Sequence, residues 1–521
     1  MTRNVLALAL AGALFALPAH AQDAPPPPEE QQEGRSDNVE LEQDALDAAG
    51  VDSAEAPLES ARGVRADADA AEDNGKWSVE STQGQARTVR FETSEGTWMD
   101  VDVSPDGRTI VFSLLGDLYR MPVSGGAATR ISSGRAWDIQ PRWSPDGSRI
   151  AFTSDRSGGN NIWTIAADGS DARQVTDESF RLLNNPTWTP DGEYIVARKH
   201  FTSRRSLGAG ELWLYHAGGT SAGIQLVEKP NDQQDIGEPS VSPDGRYVYY
   251  SQDVSPGGAF DYNRDPHGVI YAIKRFDRQT GKNENVVYSP GGAVRPQVSP
   301  DGRSLAFVKR VRDKSVLHHL DLASGQVRPV WDGLSHDQQE AWAIFGPYSG
   351  FNWMPDSNAV VIWAQGGLWQ VDMASGQATE VPFTAQVEQV VSEPLHFAQQ
   401  LPEGTFNPRM SRDVATSADG GTLVFHALGQ LWRKSLPNGT PQRLTSSRGV
   451  YEYQPSFSAD GRQMLYTTWS DEEMGAIHVR SASGTGVGRK LTTERGFHYP
   501  PGVSPDGRRG RGGRSLGSPP S

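Results

Sequence analysis

The sequence predicts an all-β protein made of repeated four-stranded sheets, and a recurring signature and its spacing support this. The signature is a residue that is usually apolar or aromatic, then Ser-Pro-Asp-Gly or a near copy, then a mostly apolar run rich in strand-forming residues. Clear copies begin at Val103, Trp143, Val241 and Val298, and looser ones at Trp188, Trp353, Thr416 and Phe457. Copies recur every 40 to 63 residues, and a period with a floor near ~40 is typical of β-propeller blades that carry loop insertions.

Each repeat contains four strand-like segments. In the second repeat, IQPRWS leads into the Pro-Asp-Gly turn, RIAFTS returns, NIWTIA forms a third strand and ARQVT a fourth. Pro145 presets φ for the turn, Asp146 can bond its own backbone, and Gly147 accepts a positive φ. The turn explains the aspartates without calcium or catalysis, since no EF-hand-like loop accompanies them. The aromatic residues are expected mainly in the core.

The number of blades is open from the sequence. The first six repeats occupy residues 98–382, and the longest interval then inserts AQVEQVVSEPLHFAQQLPEG, which we interpret as an extra strand plus a linker. We expect a six-bladed propeller over residues 77–400, closed by an N-terminal strand near Ala86 to Glu92, and an incomplete second propeller over 401–507. The alternative is one eight-bladed ring. Ring closure matters because an open propeller exposes sheet edges.

The two ends of the chain differ from the repeats. Residues 1–21 are typical of a secretory signal, with Arg3, an apolar stretch and Ala19-His20-Ala21 for cleavage after Ala21. The apolar stretch is too short for a membrane span. A periplasmic or secreted protein is therefore expected. In the C-terminal tail, residues 508–521, Arg and Gly replace the expected strand, so we expect an unfinished ninth hairpin and a truncated or frame-shifted product.

Charge is concentrated in one segment. The net charge of the chain is −15, and residues 22–75 hold 16 Asp or Glu against three Arg. Residues 22–76 are therefore predicted to be an acidic, disordered linker. The remaining chain is nearly balanced, which argues against a nucleic-acid partner. The absence of Cys excludes disulfides.

Longer phrases carry a family likeness. The repeats resemble TolB-like propellers, and five phrases resemble the N-terminal propeller region of exported bacterial amidohydrolases: GDLYRMPVSGG, FRLLNNPTW, EYIVARKHF, GELWLYH and LGQLWRKSLPNGTPQRLT. The likeness covers roughly residues 77 to 507. It implies a metal-dependent hydrolase domain C-terminal to the propellers, marked by an HxH metal pair.

This chain has 11 His and none is spaced HxH. His318 and His319 are adjacent in a strand-like segment, where side chains point to opposite faces. No metal ligand and no cofactor are therefore assigned to this chain. TolB itself is a rival resemblance, although its small α/β domain corresponds here to the acidic linker. Prolyl oligopeptidase-type and tricorn-type peptidases also join propellers to catalytic domains, and neither such domain is visible in this sequence.

One motif imitates a catalytic nucleophile. Gly219-Thr220-Ser221-Ala222-Gly223 fits G-x-S-x-G, but that motif needs a strand before it and a helix after it. Here it joins two strand-like segments, so a Gly-rich hairpin turn is the better interpretation and Ser221 is not assigned as catalytic.

Loop lengths predict a candidate binding face. Connections from strand two to three, and between blades, share one face and include the three longest loops. These loops carry mixed charge and aromatics that suit a peptide, a partner domain or a polar small molecule, or that simply face solvent. The candidates are Arg204, Arg205, Asp261, Tyr262, Arg264, Asp265, His267, His336, Trp342 and Tyr348. Asp261, Asp265 and His267 could ligate a cation, which the sequence does not favour.

Three functions follow. The preferred one is an exported, non-catalytic propeller that docks to or gates an amidohydrolase-type domain absent from this chain. The second is a stand-alone TolB-like protein-interaction propeller of the periplasm. The third is an enzyme whose site lies on the loop-rich face.

Overall fold

The computed structural model describes residues 78–82, 84–179, 182–201, 209–219, 222–255, 264–265, 268–341, 343–393, 403–445, 447–484, 486–499, 502–504, 510–511 and 514–515. The predicted signal segment, the acidic linker and most of the C-terminal tail lie outside these ranges. Every regular element in the described ranges is a β-strand, so the all-β fold class is confirmed.

Six four-stranded sheets follow an N-terminal strand, β1 (Ala86–Thr93). Sheet 1 contains β2 (Val101–Val103), β3 (Thr109–Leu114), β4 (Asp117–Pro122) and β5 (Gly126–Arg130). Sheet 2 contains β6 (Ile139–Trp143), β7 (Arg149–Ser154), β8 (Asn161–Ala166) and β9 (Arg173–Gln174). Sheet 3 contains β10 (Leu183–Trp188), β11 (Tyr194–His200), β12 (Gly210–His216) and β13 (Ile224–Val227).

The next three sheets have the same order. Sheet 4 contains β14 (Ile236–Val241), β15 (Tyr247–Asp253), β16 (Tyr271–Asp277) and β17 (Lys282–Val287). Sheet 5 contains β18 (Val294–Val298), β19 (Ser304–Val311), β20 (Lys314–Asp321) and β21 (Val327–Trp331). Sheet 6 contains β22 (Asn352–Trp353), β23 (Ala359–Ala364), β24 (Gly367–Asp372) and β25 (Ala378–Val381). In each of the six sheets, strands adjacent in the chain pair antiparallel.

The first strands of these sheets surround a common axis. Each contacts the first strand of the next sheet, from β2 to β6 and onward to β22, and β22 contacts β2 again. The contacts therefore link six sheets in a cycle, which is the arrangement of propeller blades. Apolar side chains pack between neighbouring sheets; between sheets 1 and 2 they include Val111, Leu118, Ile150 and Phe152.

A strand after sheet 6 joins the cycle to its beginning. Strand β26 (Phe383–Ser392) pairs in parallel with β5 at the outer edge of sheet 1, and β1 pairs antiparallel with β26. The predicted N-terminal strand therefore exists, but the prediction that it closes the ring itself is wrong. The chain leaving sheet 6 reaches the free edge of β5 first, and β1 pairs with the remaining edge.

Two further four-stranded sheets follow. Sheet 7 contains β27 (Arg412–Thr416), β28 (Thr422–Ala427), β29 (Gln430–Ser435) and β30 (Gln442–Arg443), and sheet 8 contains β31 (Tyr451–Phe457), β32 (Gln463–Ser470), β33 (Met474–Ser481) and β34 (Arg489–Lys490). Four two-residue strands complete the described chain: β35 (Phe497–His498), β36 (Gly502–Val503), β37 (Gly510–Arg511) and β38 (Arg514–Ser515).

The expectation that no strand follows the ninth signature is wrong in part. Strand β36 pairs with β37, and β35 pairs with β38. Backbone N–H and C=O groups supply these pairings, so they form without the apolar side chains that the other repeats provide. The pairs are two residues long, whereas second strands in the first six sheets run six to eight residues.

The signature turns share one hydrogen-bond network. In the first copy, the Ser104 hydroxyl donates to Asp106 Oδ1 at 2.6 Å, and the same oxygen accepts the Arg108 N–H at 3.0 Å. The Thr109 N–H donates to Ser104 Oγ at 3.0 Å. The hydrogen bond from Ser104 lowers the pKa of Asp106. The same pattern fixes the aspartates at 146, 191, 244, 301, 419 and 460, so these carboxylates serve the turns.

The turns also pack against one another at one end of the axis. A Cβ added to Gly147 would lie 3.6 Å from Pro105 of the preceding sheet. The same relation links Gly192 to Pro145, Gly245 to Pro190, Gly302 to Pro243, and Gly107 to Pro355. In sheet 6, Ser357 stands where the other turns have glycine. Its φ is +61°, and its hydroxyl accepts the Asp301 N–H. The loops between sheets therefore lie at the opposite end.

Candidate binding site at the propeller axis

The structure describes four of the ten predicted site residues. Arg264 pairs with Asp253 at 2.7 Å, and both side chains are 2% exposed. His336 contacts the carbonyl of Asp337 through Nδ1. Tyr348 is fully buried, and its hydroxyl donates to the Trp363 carbonyl at 2.9 Å. Asp265 is the fourth described residue. The other six lie outside the described residues: Arg204, Arg205, Asp261, Tyr262, His267 and Trp342.

Polar residues at one repeated position line the axis. Gln140, Asn185, Glu238 and Arg295 each lie four residues before the signature Ser or Thr, and all have φ between +53° and +58°. The pairing of their strands with the second strand shifts register beside each of them, as in a β-bulge. All four are buried. With Asp100, at the same position in sheet 1, we name these five residues the axial cluster.

The cluster is a connected hydrogen-bond network. The Gln140 amide donates to Asn185 Oδ1 at 3.2 Å, and Arg295 Nη1 donates to the same oxygen at 2.7 Å. Glu238 Oε2 accepts the Arg295 N–H at 2.7 Å and the Ser251 hydroxyl at 2.5 Å. Glu238 Oε1 lies 3.3 Å from Arg295 Nε. Residues from four sheets therefore hold one another in fixed rotamers.

A segment of the loop between sheets 5 and 6 enters this network. Residues 343–349, named here the axial segment, have the sequence AIFGPYS, and burial is complete from Gly346 onward. The Tyr348 carbonyl accepts Arg295 Nε at 2.9 Å and Nη2 at 2.6 Å. The Phe345 carbonyl accepts Gln140 Nε2 at 2.9 Å and Arg295 Nη2 at 3.1 Å.

A third carbonyl of the axial segment is held by sheet 3. The Ile344 carbonyl accepts Arg198 Nη1 at 2.7 Å and Asn184 Nδ2 at 3.0 Å. Arg198 is 2% exposed and forms an ion pair with Asp235. Burial lowers the pKa of Arg198 to about 10, and the guanidinium is protonated at neutral pH. Sheets 2, 3 and 5 thus contribute donors to backbone carbonyls of the axial segment.

A second polar layer lies closer to the signature turns. Arg142 Nη1 lies 3.4 Å from Asp102 Oδ1 and donates to the Phe351 carbonyl at 3.0 Å. Asn352 Nδ2 donates to Asp102 at 2.5 Å. Burial raises the pKa of both Asp100 and Asp102, partly opposed by nearby guanidinium groups.

The charges at the axis favour uncharged ligands. The two layers and the Arg198 pair contain three guanidinium groups and four carboxyl groups. An added anion would meet no excess positive charge, whereas a peptide carbonyl needs only a hydrogen-bond donor. The geometry is therefore suited to binding polypeptide backbone.

Sequence reasoning missed this cluster, although a signal was present. Asp100, Gln140, Asn185, Glu238 and Arg295 stand at the same position of successive repeats, and each is polar or charged. Aligning the repeats on the signature would have shown a conserved polar character inside an otherwise apolar strand. Among the four described candidates from loop length, Tyr348 is the one that contributes directly to this network.

Other candidate chemistry can be placed as follows. The flanks of the G-x-S-x-G motif, β12 and β13, pair antiparallel, and β13 begins directly after Gly223. This is the context of a hairpin, not of a strand-to-helix elbow; Thr220 and Ser221 lie outside the described residues.

In the described ranges, no three His, Asp or Glu side chains converge as a metal site. None of the described residues belongs to a helix that could cross a membrane.

Comparisons with known proteins agree with the fold. A family model described as the TolB beta propeller domain matches residues 77–262. An uncharacterized protein of Agrobacterium fabrum, Atu1656, is 30% identical over 158 residues, 28% of this chain and 53% of that protein. The uncharacterized peptidase YuxL of Bacillus subtilis is 25% identical over 208 residues, 33% of this chain and 31% of that protein.

Dipeptidyl-peptidase 5 of Porphyromonas gingivalis is 22% identical over 417 residues, 65% of this chain and 57% of that protein. The chain thus spans between about a third and three fifths of the length of these three relatives. The architecture defines a β-propeller of four-stranded blades. Residues 77–262 are similar, more specifically, to the TolB beta propeller domain.

Proposed function

We propose that this chain is an exported, non-catalytic propeller module that binds polypeptide at its axis and acts together with a hydrolase domain. The observation that carries the proposal is that two residues of the axial cluster, Gln140 and Arg295, bind three backbone carbonyls together with the neighbouring side chains of Asn184 and Arg198, from three sheets in all. Propellers use such axial ends as binding surfaces because loops and bulges direct side chains there from several blades at once.

The relatives support a hydrolase context. YuxL and dipeptidyl-peptidase 5 are named as peptidases, and each extends beyond the length that this chain spans. The phrase likeness described above is to exported amidohydrolases, whose catalytic domain also follows the propeller. A peptide-binding axis suits either class, since both peptidases and amidohydrolases act on amide-like bonds. The proposal therefore includes a hydrolase of one of these two classes, and it includes export to the periplasm through the signal segment.

Two experiments test this function. The purified chain is incubated with a mixed peptide library, and mass spectrometry is expected to find retention of peptides without cleavage. Cleavage that survives repurification and is lost in Asp265→Asn would favour an enzyme with its site on the loop-rich face, and would overturn the non-catalytic role.

The gene tests the link to a hydrolase. Nucleotide sequence beyond the codon of Gly507 is read in all three frames. A frame that restores an apolar strand and continues into an HxH-bearing or Ser-nucleophile hydrolase domain would support the proposal. A natural stop with no such domain in any frame would favour a stand-alone TolB-like interaction propeller.

A further inference from the structure

The axial segment occupies the axial cluster as a peptide ligand would. Side chains of the propeller donate six hydrogen bonds to three carbonyls of the axial segment, those of Ile344, Phe345 and Tyr348. The donors belong to Gln140, Asn184, Arg198 and Arg295. Recognition by backbone carbonyls depends on chain direction and spacing, and only weakly on side-chain identity.

Glycine is required at one position of the occupant. Gly346 has φ +107°, and a Cβ there would lie 2.4 Å from Glu238 Oε1 and 2.7 Å from Arg295 Nη2. Neither side chain is free to retreat, since both are 3% exposed or less and each is held by several hydrogen bonds. The cluster therefore accepts a chain only where it carries no side chain between two bound carbonyls.

The axial segment leaves part of the cluster unused. Arg198 Nε and Ser349 Oγ of the segment itself are buried and have no hydrogen-bond partner in the described structure, and Glu238 Oε1 has its ion-pair contact with Arg295 but accepts no hydrogen bond. Buried polar atoms without hydrogen-bond partners destabilise a packed site. The occupant and the cluster are thus incompletely matched, as expected for an internal segment that another chain can replace.

We propose that the axial cluster is a binding site for an uncharged peptide that turns at a central glycine, as Ala343–Gly346 does, and that residues 343–349 are its displaceable internal occupant. The carbonyls of the incoming peptide accept hydrogen bonds from the same four side chains, and one of its amide N–H groups donates to Glu238 Oε1. This inference rests on the proposed binding function, and it adds the ligand class and the competition with the axial segment.

The first test uses a synthetic probe and one matched pair of variants. The probe is fluorescein-labelled peptide AIFGPYS with blocked ends, and binding is measured by fluorescence anisotropy. Gly346→Ala expels the axial segment and is expected to bind the probe about ten-fold or more tightly than wild type. Gly126→Ala is the control: its φ is +121°, and a Cβ there meets nothing within 4 Å. It is expected to match wild type.

A second probe tests the glycine requirement. The peptide AIFAPYS is expected to lose binding to the Gly346→Ala protein, because its own Cβ meets Glu238 and Arg295. Equal affinity of the two peptides, or no gain in affinity from Gly346→Ala over Gly126→Ala, would overturn the proposal.

Hydrogen exchange of the wild-type chain covers the case in which Gly346→Ala fails to fold. With the AIFGPYS probe in excess, the amides of residues 343–349 are expected to exchange faster, since the segment is displaced. Unchanged exchange at a probe concentration that saturates binding would refute displacement. Probe binding in a protein whose gene contains no hydrolase domain would leave this inference standing and refute the hydrolase context alone.

Discussion

Replacing Arg295 with methionine is expected to destabilise the propeller strongly. The side chain is 3% exposed, and it donates to Asn185 and to the carbonyls of Phe345 and Tyr348. Phe345 keeps its bond from another side chain, but Tyr348 loses both donors, at about 1–3 kcal/mol for the buried carbonyl. Glu238 also loses its charge partner, and breaking a buried ion pair costs about 3–5 kcal/mol in total. We expect a loss of about 3–5 kcal/mol.

Thermal unfolding followed by circular dichroism measures this loss. At roughly 2 °C per kcal/mol for a large domain, the midpoint is expected to fall by about 6–10 °C. Arg90→Met is the control, because its ion pair with Glu388 is exposed, at 69% and 42%, and such pairs contribute about 0–1 kcal/mol. Adding Glu238→Gln to Arg295→Met is expected to restore part of the loss. A double variant no more stable than Arg295→Met, or a single variant no worse than Arg90→Met, would refute this reasoning.

Three further predictions concern pH, the signature turn and the close approach of Gly125 to the residue before β26. Burial raises the pKa of Asp117 to about 7, so the folded state holds a proton that the unfolded chain has lost; stability is expected to fall as pH rises from about 4 to 7. Asp117→Asn should flatten that slope in urea titrations, and an unchanged slope would contradict the assignment. Ser144→Ala removes a hydroxyl that both donates and accepts within its turn and is expected to cost about 1–2 kcal/mol. Ser148→Ala removes an exposed hydroxyl of the same turn that donates to Asp146 but accepts no backbone N–H; it is expected to cost less, and equal losses would count against the network. Gly125→Ala would place a Cβ 2.3 Å from the carbonyl of the residue before β26. Its melting temperature is expected to fall well below that of Gly126→Ala, where the space around the added Cβ is open. Matching melting temperatures would show that the chain before β26 does not pack tightly against Gly125.

Most of the fold was predictable because the residues that determine each repeat lie close together in the sequence. Each Ser-Pro-Asp-Gly copy contains its own turn chemistry, as Ser104 and Asp106 show, and the apolar runs on both sides identify the paired strands. The register of β26 was not predictable, since it depends on which sheet edge is free after six sheets have assembled. Its pairing partners lie more than 250 residues away in the chain.

The site was less predictable, for a related reason. Loop length indicated the correct loop between sheets 5 and 6, and Tyr348 in it, but it gave no sign that the loop enters the axis. The axial cluster brings together residues from separate repeats, such as Gln140 and Arg295, whose proximity depends on cyclic assembly. Each of them alone is a single polar residue in an apolar strand, and only alignment of the repeats reveals the series.

The position of β26 between β5 and β1 has a mechanical consequence. Three residue pairs join Phe383–Ala385 of this strand to β5, and eight pairs join it to β1. Tension applied to the chain beyond Ser392 therefore acts first on the hydrogen bonds between β26 and β1, and then on the β26–β5 pairs that tie the last blade to the first. A load from that side would loosen the seam between blades 6 and 1 before it reached any other blade boundary. Movement of the chain after Ser392 would therefore act on the propeller from the outer edge of sheet 1.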